Sequence, residues 1–520
     1  MNSSPRSPSH HDSDFDLVEP CASALVESMR AFGYTLETAL ADLIDNSISA
    51  GAKKVWLHFH WSGRNSRITL TDDGNGMDEA ELVCAMRPGS RHPLEQRDPK
   101  DLGRFGLGLK SASFSQCRRL TVGSRRSGDP IAVRRWDLDY LAEVSSSGSD
   151  SGWRLLRSAA PGSEAFLAPL EERENGTMVL WEQLDRIVGD SEVSDTSAQE
   201  RFYQIANSVV THLAMVFHRF LEGSRPRLSI YVNGADEEHR ITPWDPFMSS
   251  HSATLWQPQE TITLGSQKVV VQGFVLPHKD KLQEEEHQFA AGPRGWNSQQ
   301  GFYVYRNERM LVAGSWLGLG KPRPWTKDEH YKLSRISIDI PNSVDGEWQI
   351  DVKKSTARPP ARVRKRLRQL AELVRDKARQ VFAHRGVYSS RRQSTEVEHV
   401  WKPGVRDGRT IYRIDRGSAA VRQLMQAGQQ VSKELESLLK LLEETVPVQQ
   451  IWLDVAERPD THARPFERAE DKIVIEVMTS VYRALRSVER LTHDQACKRL
   501  GNMAPFREHM HLLSSIVCEE

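Results

Sequence analysis

The stretch that most restricts what this chain can fold into is LETALADLIDNSISAG, residues 36–51. Read at helical spacing, it carries two stripes. Leu36, Ala39, Leu40 and Leu43 form an apolar one, and Asp42, Asp45, Asn46 and Ser49 form one that is wholly polar. Asp42 and Asn46 are four residues apart, so their side chains stand one above the other on a single face. A carboxylate over a carboxamide suits a metal ion with an adjacent water. The amide offers a neutral oxygen to Mg2+, and the carboxylate can orient or deprotonate the water. The plain alternative is the solvated face of an amphipathic helix. Thr35 is a suitable N-cap for this helix, and Gly51 a suitable stop.

Three further motifs follow in order. TDDGNGM, residues 71–77, ends an alternating strand-like run and puts Asp72 at the strand end, with Gly74 and Gly76 permitting a tight turn and close backbone approach. A carboxylate held there can accept a hydrogen bond from an amino group such as that of adenine. DLGRFGLGLKSAS, residues 101–113, sets Gly103, Gly106 and Gly108 ahead of a helix, where backbone N–H groups and the helix N-terminus face a phosphate, with Lys110 adding positive charge. It is not a Walker A loop, because Lys110 follows Leu109 where that pattern requires glycine. Last, Asn175-Gly176-Thr177 opens a late strand, and the Thr177 hydroxyl can donate to a ring nitrogen or a water. Each motif alone reads as an ordinary turn or helix face. Their order and spacing carry the argument.

Together these residues resemble the GHKL ATPase superfamily, which includes gyrase B, MutL, the MORC proteins, histidine kinases and the heat-shock-protein-ninety chaperones. The resemblance covers roughly residues 15–185 and implies an α+β protein opening with a Bergerat-type α/β sandwich. It implies ATP and Mg2+ as ligands and ATP hydrolysis as the activity. By position it makes Asn46 the Mg2+ ligand, Asp72 the adenine contact and Asp73 a variable position. Gly74, Gly76, Gly103, Gly106 and Gly108 become the turn and phosphate-loop glycines, with Met77, Arg104, Phe105 and Leu107 beside them. Lys110 becomes a phosphate contact, Thr177 the late-strand threonine near adenine, and residues 77–102 a lid over ATP. In MutL, gyrase B and MORC proteins the residue four before the asparagine is glutamate; here it is Asp42. Glu37 cannot take over, since nine residues at about 100° each put it across the helix from Asn46. The base role therefore falls to Asp42, whose side chain is shorter by one methylene, about 1.5 Å.

Downstream, residues 197–385 resemble the transducer domain of MutL, gyrase B and MORC proteins. GFYVYRNERMLVAGSWLG, residues 301–318, is similar to the MORC strand–turn–strand. WQIDVKKSTARPP, residues 348–360, sits where a transducer delivers a lysine to the γ-phosphate, which makes Lys354 the catalytic candidate with Lys353 close behind. The helix expected over residues 361–385 has an apolar stripe of Val363, Leu367, Leu370, Val374 and Val381. Arg362, Arg364, Lys365, Arg366, Arg368, Arg375, Lys377 and Arg379 crowd its remaining surface, which reads either as a solvated face or as a DNA phosphate contact. His212 and His218 read as packed or capping histidines.

Composition bounds the rest. With 70 Lys+Arg against 70 Asp+Glu the formal net charge is zero, so any nucleic-acid surface must be local. The five cysteines include no CxxC pair, which argues against a disulfide framework or zinc site and fits a reducing cytoplasm. No apolar run is long enough for a membrane span, and residues 1–14 have Ser, Pro and His where a signal peptide needs apolar residues. The expected organisation is a disordered tail (1–14), the ATPase domain (15–196), the transducer-like domain (197–385), a polar linker (386–410) and a helical region (411–520) for dimerisation or partner docking. The resemblance implies a homodimer formed on ATP binding that acts as a DNA-associated clamp, in a restriction or anti-phage system where separate proteins supply a nuclease. A chaperone-like ATPase clamping protein clients is the alternative.

Overall fold

The computed structural model describes residues 20–31, 33–89, 108–146, 152–265, 267–344, 346–350, 356–383, 400–406, 409–426, 428–448, 451, 466 and 469–517. The tail 1–14, Gly103, Arg104, Phe105, Gly106, Leu107, Lys353 and Lys354 lie outside the described residues. The chain is α+β and divides into two compact units, residues 1–382 and 383–520.

Unit one opens with α1 (Ala22–Arg30) and α2 (Leu36–Ser49), the second started by Thr35, whose side chain accepts the Thr38 N–H in a capping box. Strands β1 (Lys54–His60) and β2 (Arg67–Asp72) pair antiparallel. In β1 the alternation has a plain cause: Val55, Leu57 and Phe59 face the core while Lys54, His58 and His60 face out. Helix α3 (Glu79–Met86) follows, then α4 (Gly108–Phe114), β3 (Arg119–Arg125), β4 (Ala132–Asp137), α5 (Leu138–Ser146), a short α6 (Ala168–Glu171) and β5 (Gly176–Glu182). Helix α3 falls within residues 77–102, the segment expected as a lid. Asp78 starts α3 within it, through a capping box with Glu81.

Helix α7 (Thr196–Val216), capped by Asp195, packs against α2 and leads past α8 (His218–Leu221) to β6 (Ser229–Val232). The resulting sheet runs β4-β3-β5-β2-β1-β6, with β6 parallel to β1 and the other pairs antiparallel. The run 228–232, expected in the second domain, thus completes the first sheet, because a parallel partner for β1 needs a crossover and α7 supplies it. Leu40, Ile44, Leu57, Phe114, Leu120, Trp181 and Phe202 share the main core of this layer, whereas Met178 on β5 joins Leu167 and Leu170 in a separate cluster.

The second sheet uses β7 (Leu255–Trp256), β8 (Glu260–Leu264), β9 (Gln267–Val275), then, after α9 (Glu284–Ala290) and α10 (Gly295–Ser298), β10 (Gly301–Arg306), β11 (Arg309–Ser315) and β12 (Ser334–Ile340). Its order is β11-β10-β12-β9-β7, with β8 also on β9. The expected strand–turn–strand is the β10–β11 hairpin, turned by Asn307 and Glu308 at φ 48° and 67°. Helix α11 (Ala361–Ala383) lays Val363, Leu367, Ala371, Val374, Ala378 and Val381 into the core of this layer. Gly273 permits that approach, since a Cβ there would come within 2.4 Å of Val374 Cγ2. One basic residue of α11 departs from the expectation. Arg375 is buried, its guanidinium 3.6 Å from the Tyr331 ring centroid and 4.5 Å from that of Trp325, so it is not part of a phosphate-facing surface.

In unit two, β13 (Trp401–Arg406) and β14 (Arg409–Ile414) form an antiparallel hairpin. Part of the expected linker 386–410 is therefore sheet, and the region from 411 is not wholly helical; the β-branched and aromatic run of Thr410, Ile411, Tyr412 and Ile414 is the strand signal that a polar composition masked. Then come α12 (Ala419–Met425), α13 (Gln429–Glu444), α14 (Asp471–Ser487) and α15 (His493–Asn502), around a core that includes Val474, Met478, Tyr482, Leu485, Leu500 and Phe506. Among the described residues, no helix is long and apolar enough to cross a membrane.

Candidate functional site

The site is assembled where α2 crosses the ends of β2 and β5. Asp72, the last residue of β2, is 5% exposed. Its Oδ1 accepts the Gly74 N–H at 2.9 Å and the Thr177 N–H at 3.3 Å, and its Oδ2 accepts the Ser47 hydroxyl at 2.7 Å. Burial raises its carboxyl above the ordinary carboxylate value, against the pull of those three hydrogen bonds. The turn that holds it needs glycine at two points. A Cβ on Gly76, at φ 68°, would lie 1.8 Å from the Arg125 carbonyl oxygen, and one on Gly176 would lie 2.2 Å from that of Asp72. Asp73 turns away and accepts the Lys53 and Lys54 N–H groups at 2.7 and 2.8 Å, which fixes the start of β1. Asn175 donates to the Gly74 carbonyl at 2.6 Å, and the Thr177 hydroxyl meets Ser124 Oγ at 2.8 Å. Ser124 Oγ also accepts the Met77 N–H at 2.9 Å. Met77, Thr177 and Asp72 are thereby brought to one place.

On α2 the polar stripe divides. Asp42 is 4% exposed and accepts the Tyr34 hydroxyl at 2.9 Å. Asn46, one turn on, is exposed, and its side chain makes no hydrogen bond to the described residues. A Cβ on Gly108 would lie 3.8 Å from Asp42 Oδ2, so the end of the glycine segment reaches the Asp42–Asn46 face. Asp45 faces elsewhere. It is 1% exposed and pairs at 3.3 Å with Arg309, itself 4% exposed, at the start of β11. Glu37 accepts the Ser208 hydroxyl on α7 at 2.6 Å, on the side away from Asn46.

Lys110 is buried, and its Nζ donates to the Ala85 carbonyl at 2.9 Å, near the C-terminal end of α3, where helix carbonyls lack intrahelical partners. That bond ties α4 to the start of the expected lid. His212 and His218 are packed residues. The His212 imidazole is driven down to about 4, by burial first and by the nearby Arg309 charge next. His218 is 2% exposed, with Nε2 at 2.8 Å from the Tyr305 hydroxyl and Nδ1 against Glu222.

Tyr34, Ser47, Ser124 and Arg309 were not singled out from sequence. Ser47 had a local signal, being next to Asn46 and rotated toward β2. Arg309 had none, since it lies 264 residues from its partner.

Residues 34–154 match the family profile described as histidine kinase-, DNA gyrase B-, and HSP90-like ATPase. Among curated proteins, the DNA mismatch repair protein MutL of Afipia carboxidovorans is 32% identical over 114 residues, which is 21% of this chain and 18% of that protein. MutL of Rhodopseudomonas palustris strain HaA2 is 32% identical over 99 residues, 18% of this chain and 16% of its own length. MutL of Bradyrhizobium sp. strain BTAi1 is 29% identical over 136 residues, 25% of this chain and 22% of its own. The chain thus spans about a fifth of the length of the curated relatives it matches. The stretch they share is a GHKL-type ATPase domain, with distant and partial similarity to the N-terminal region of MutL.

Proposed function

We propose that this protein binds ATP with Mg2+ and hydrolyses it. The observation that carries this reading is the division of labour on α2 and β2. Asp72 is buried and locked by three donors, while Asn46 presents a carboxamide with no hydrogen bond to the described residues, one turn from Asp42. These residues fit the ligand chemistry. Asp72 would hold an exocyclic amino group of the base, and Asn46 would give a neutral oxygen to Mg2+, which when bound offsets phosphate charge. Asp42 would orient the attacking water and take its proton, with Tyr34 fixing the carboxylate. Gly103, Gly106 and Gly108 would line the phosphates, and Lys354 would respond to the γ-phosphate. Because Asp42 is a methylene shorter than glutamate, and a misplacement near 1 Å can slow a reaction roughly 100-fold, turnover is expected to be slow.

The finer reading is a homodimer that closes on ATP and opens on hydrolysis, a clamp associated with DNA through α11 and acting in a restriction or anti-phage system beside a separate nuclease. The likeness to DNA mismatch repair proteins supports an association with DNA, and on α11 Lys365 and Arg379 are exposed with no carboxylate partner among the described residues. Phosphate release from Mg-ATP tests the core claim, and no release with no ATP binding would refute it. Size measurement with a non-hydrolysable ATP analogue tests the clamp: a monomer with and without the analogue ends that reading and leaves ATP binding intact. Analogue-dependent capture of unfolded protein instead of DNA would favour the chaperone-like alternative.

A further inference from the structure

Unit two contains an open cleft of about 650 Å³ lined by Gln423 from α12, Arg483, Arg486 and Ser487 from α14, Arg490 and Leu491 from the following turn, and Thr492, the N-cap of α15. None of these residues is acidic. The three arginines are exposed, and none has a carboxylate partner among the described residues; Arg486 donates to the Leu491 carbonyl at 3.1 Å. The nearest acid in sequence, Glu489, is already engaged by Arg422 and Arg499. This sets the cleft apart from the basic surface of α11. There Arg362 pairs with Glu347 at 2.9 Å, Arg366 with Glu260 at 2.6 Å and Arg368 with Glu372 at 3.6 Å, and Arg375 is covered by aromatic rings. On α11 three of the cations are thus neutralised by nearby carboxylates. The cleft in unit two is lined by three arginines that have no carboxylate partner among the described residues, with Ser487 and the N-cap Thr492 beside them.

We propose that this cleft binds the sugar–phosphate backbone of a nucleic acid. Guanidinium groups are planar multidentate donors suited to phosphate oxygens. Arg483 and Arg486 stand one turn apart on α14, about 4.5 Å at about 1.5 Å per helical residue, and Arg490 adds a third guanidinium from the turn that follows. One nucleic-acid strand presents a phosphate about every 3.4 Å of axis, a spacing close to that of the two helical arginines. An open groove with all its cations exposed suits a continuing strand better than one enclosed phosphate. The inference does not depend on the ATPase reading, because the experiment is done without nucleotide.

The test uses the full chain, labelled single-strand and duplex oligonucleotides of mixed sequence, and chloride from 50 to 200 mM, concentrations over which roughly log-linear salt dependence is expected. The triple variant Arg483→Gln/Arg486→Gln/Arg490→Gln is expected to bind at least about tenfold more weakly at the low end and to show a salt slope shallower by about 2–3, from about 0.7–0.9 per lost phosphate contact. The triple lysine variant, which keeps the charge, should recover the slope, and equal melting temperatures show that the fold is intact. Unchanged affinity and slope in the glutamine variant would overturn the proposal. So would full displacement of the oligonucleotide by inorganic phosphate at constant ionic strength, the behaviour of a single-phosphate site. A parallel Lys365→Gln/Arg379→Gln variant separates the two surfaces. If it alone abolishes binding, the α11 reading stands and this one fails.

Discussion

Helices α2 and α11 look alike as sequences: each has an apolar stripe and a charged remainder. In the fold they are opposites. Two of the three charged groups of α2 are buried, and each of these has a partner from elsewhere in the chain: Asp42 has Tyr34 and Asp45 has Arg309. The charged groups of α11 are mostly exposed, and those that pair do so with glutamates such as Glu260 and Glu347. The difference teaches that a polar stripe has no meaning until what lies opposite is known. Facing water, it is solubility. Facing a second layer, it is commitment, because a buried charge without its partner is unstable.

The largest expected effect on that comparison is catalytic. Asp42→Asn should leave ATP binding in place and reduce phosphate release by at least about 100-fold, the scale of a lost general base; undiminished release would remove Asp42 from the mechanism. Next is Arg309→Ala, which strands Asp45 in the core. It should destabilise unit one by about 3–5 kcal/mol in chemical denaturation. If Asp45→Asn in the same background recovers most of that loss, the penalty lies in the unpaired charge. A smaller effect comes from His212, which sits near both Arg309 and Glu37. Its folded value near 4 is below the unfolded value of 6.5, so folding disfavours the protonated imidazole. The stability that neutral His212 provides is complete above about pH 6.5 and is lost as pH falls toward 4, by on the order of 1–3 kcal/mol. A denaturation series over that range should flatten in His212→Gln, and an unchanged slope would assign the loss to other groups. The smallest effect belongs to α11. Glu260→Gln should cost at most about 1 kcal/mol, as exposed ion pairs do. A larger loss there would erase the contrast between the two helices.

Much of the nucleotide-site layer was legible because its signals are local. The Thr35 cap, the Asp42–Asn46 spacing, the strand-ending Asp72 and the Gly76 turn each depend on neighbours within a few residues. The partners were not legible. Nothing near Asp45 points to Arg309, and nothing near Arg375 points to Tyr331 and Trp325, because those contacts form only when distant elements pack. Lys110 shows the same limit: a lysine after a glycine loop suggests phosphate, while the carbonyl it meets, that of Ala85, belongs to a helix the glycine pattern gave no reason to expect. In unit two the hairpin of β13 and β14 was obscured by polar composition, although its register is regular from Trp401 paired with Ile414 to Arg406 paired with Arg409.

The late arrival of β6 has a consequence for making and shortening this protein. During synthesis β1 is finished by residue 60, but its outer neighbour does not exist until residue 229 has been added. In that interval β1 is an edge with open backbone donors and acceptors, and Val55, Leu57 and Phe59 lack the cover that α7 and its neighbours bring. A fragment cut at residue 196 would make that interval permanent and present a sticky strand to every other copy. One carried past residue 232 would cap the edge with its own chain, so the smallest well-behaved nucleotide-binding piece is set by where the sheet closes rather than by where the motifs end.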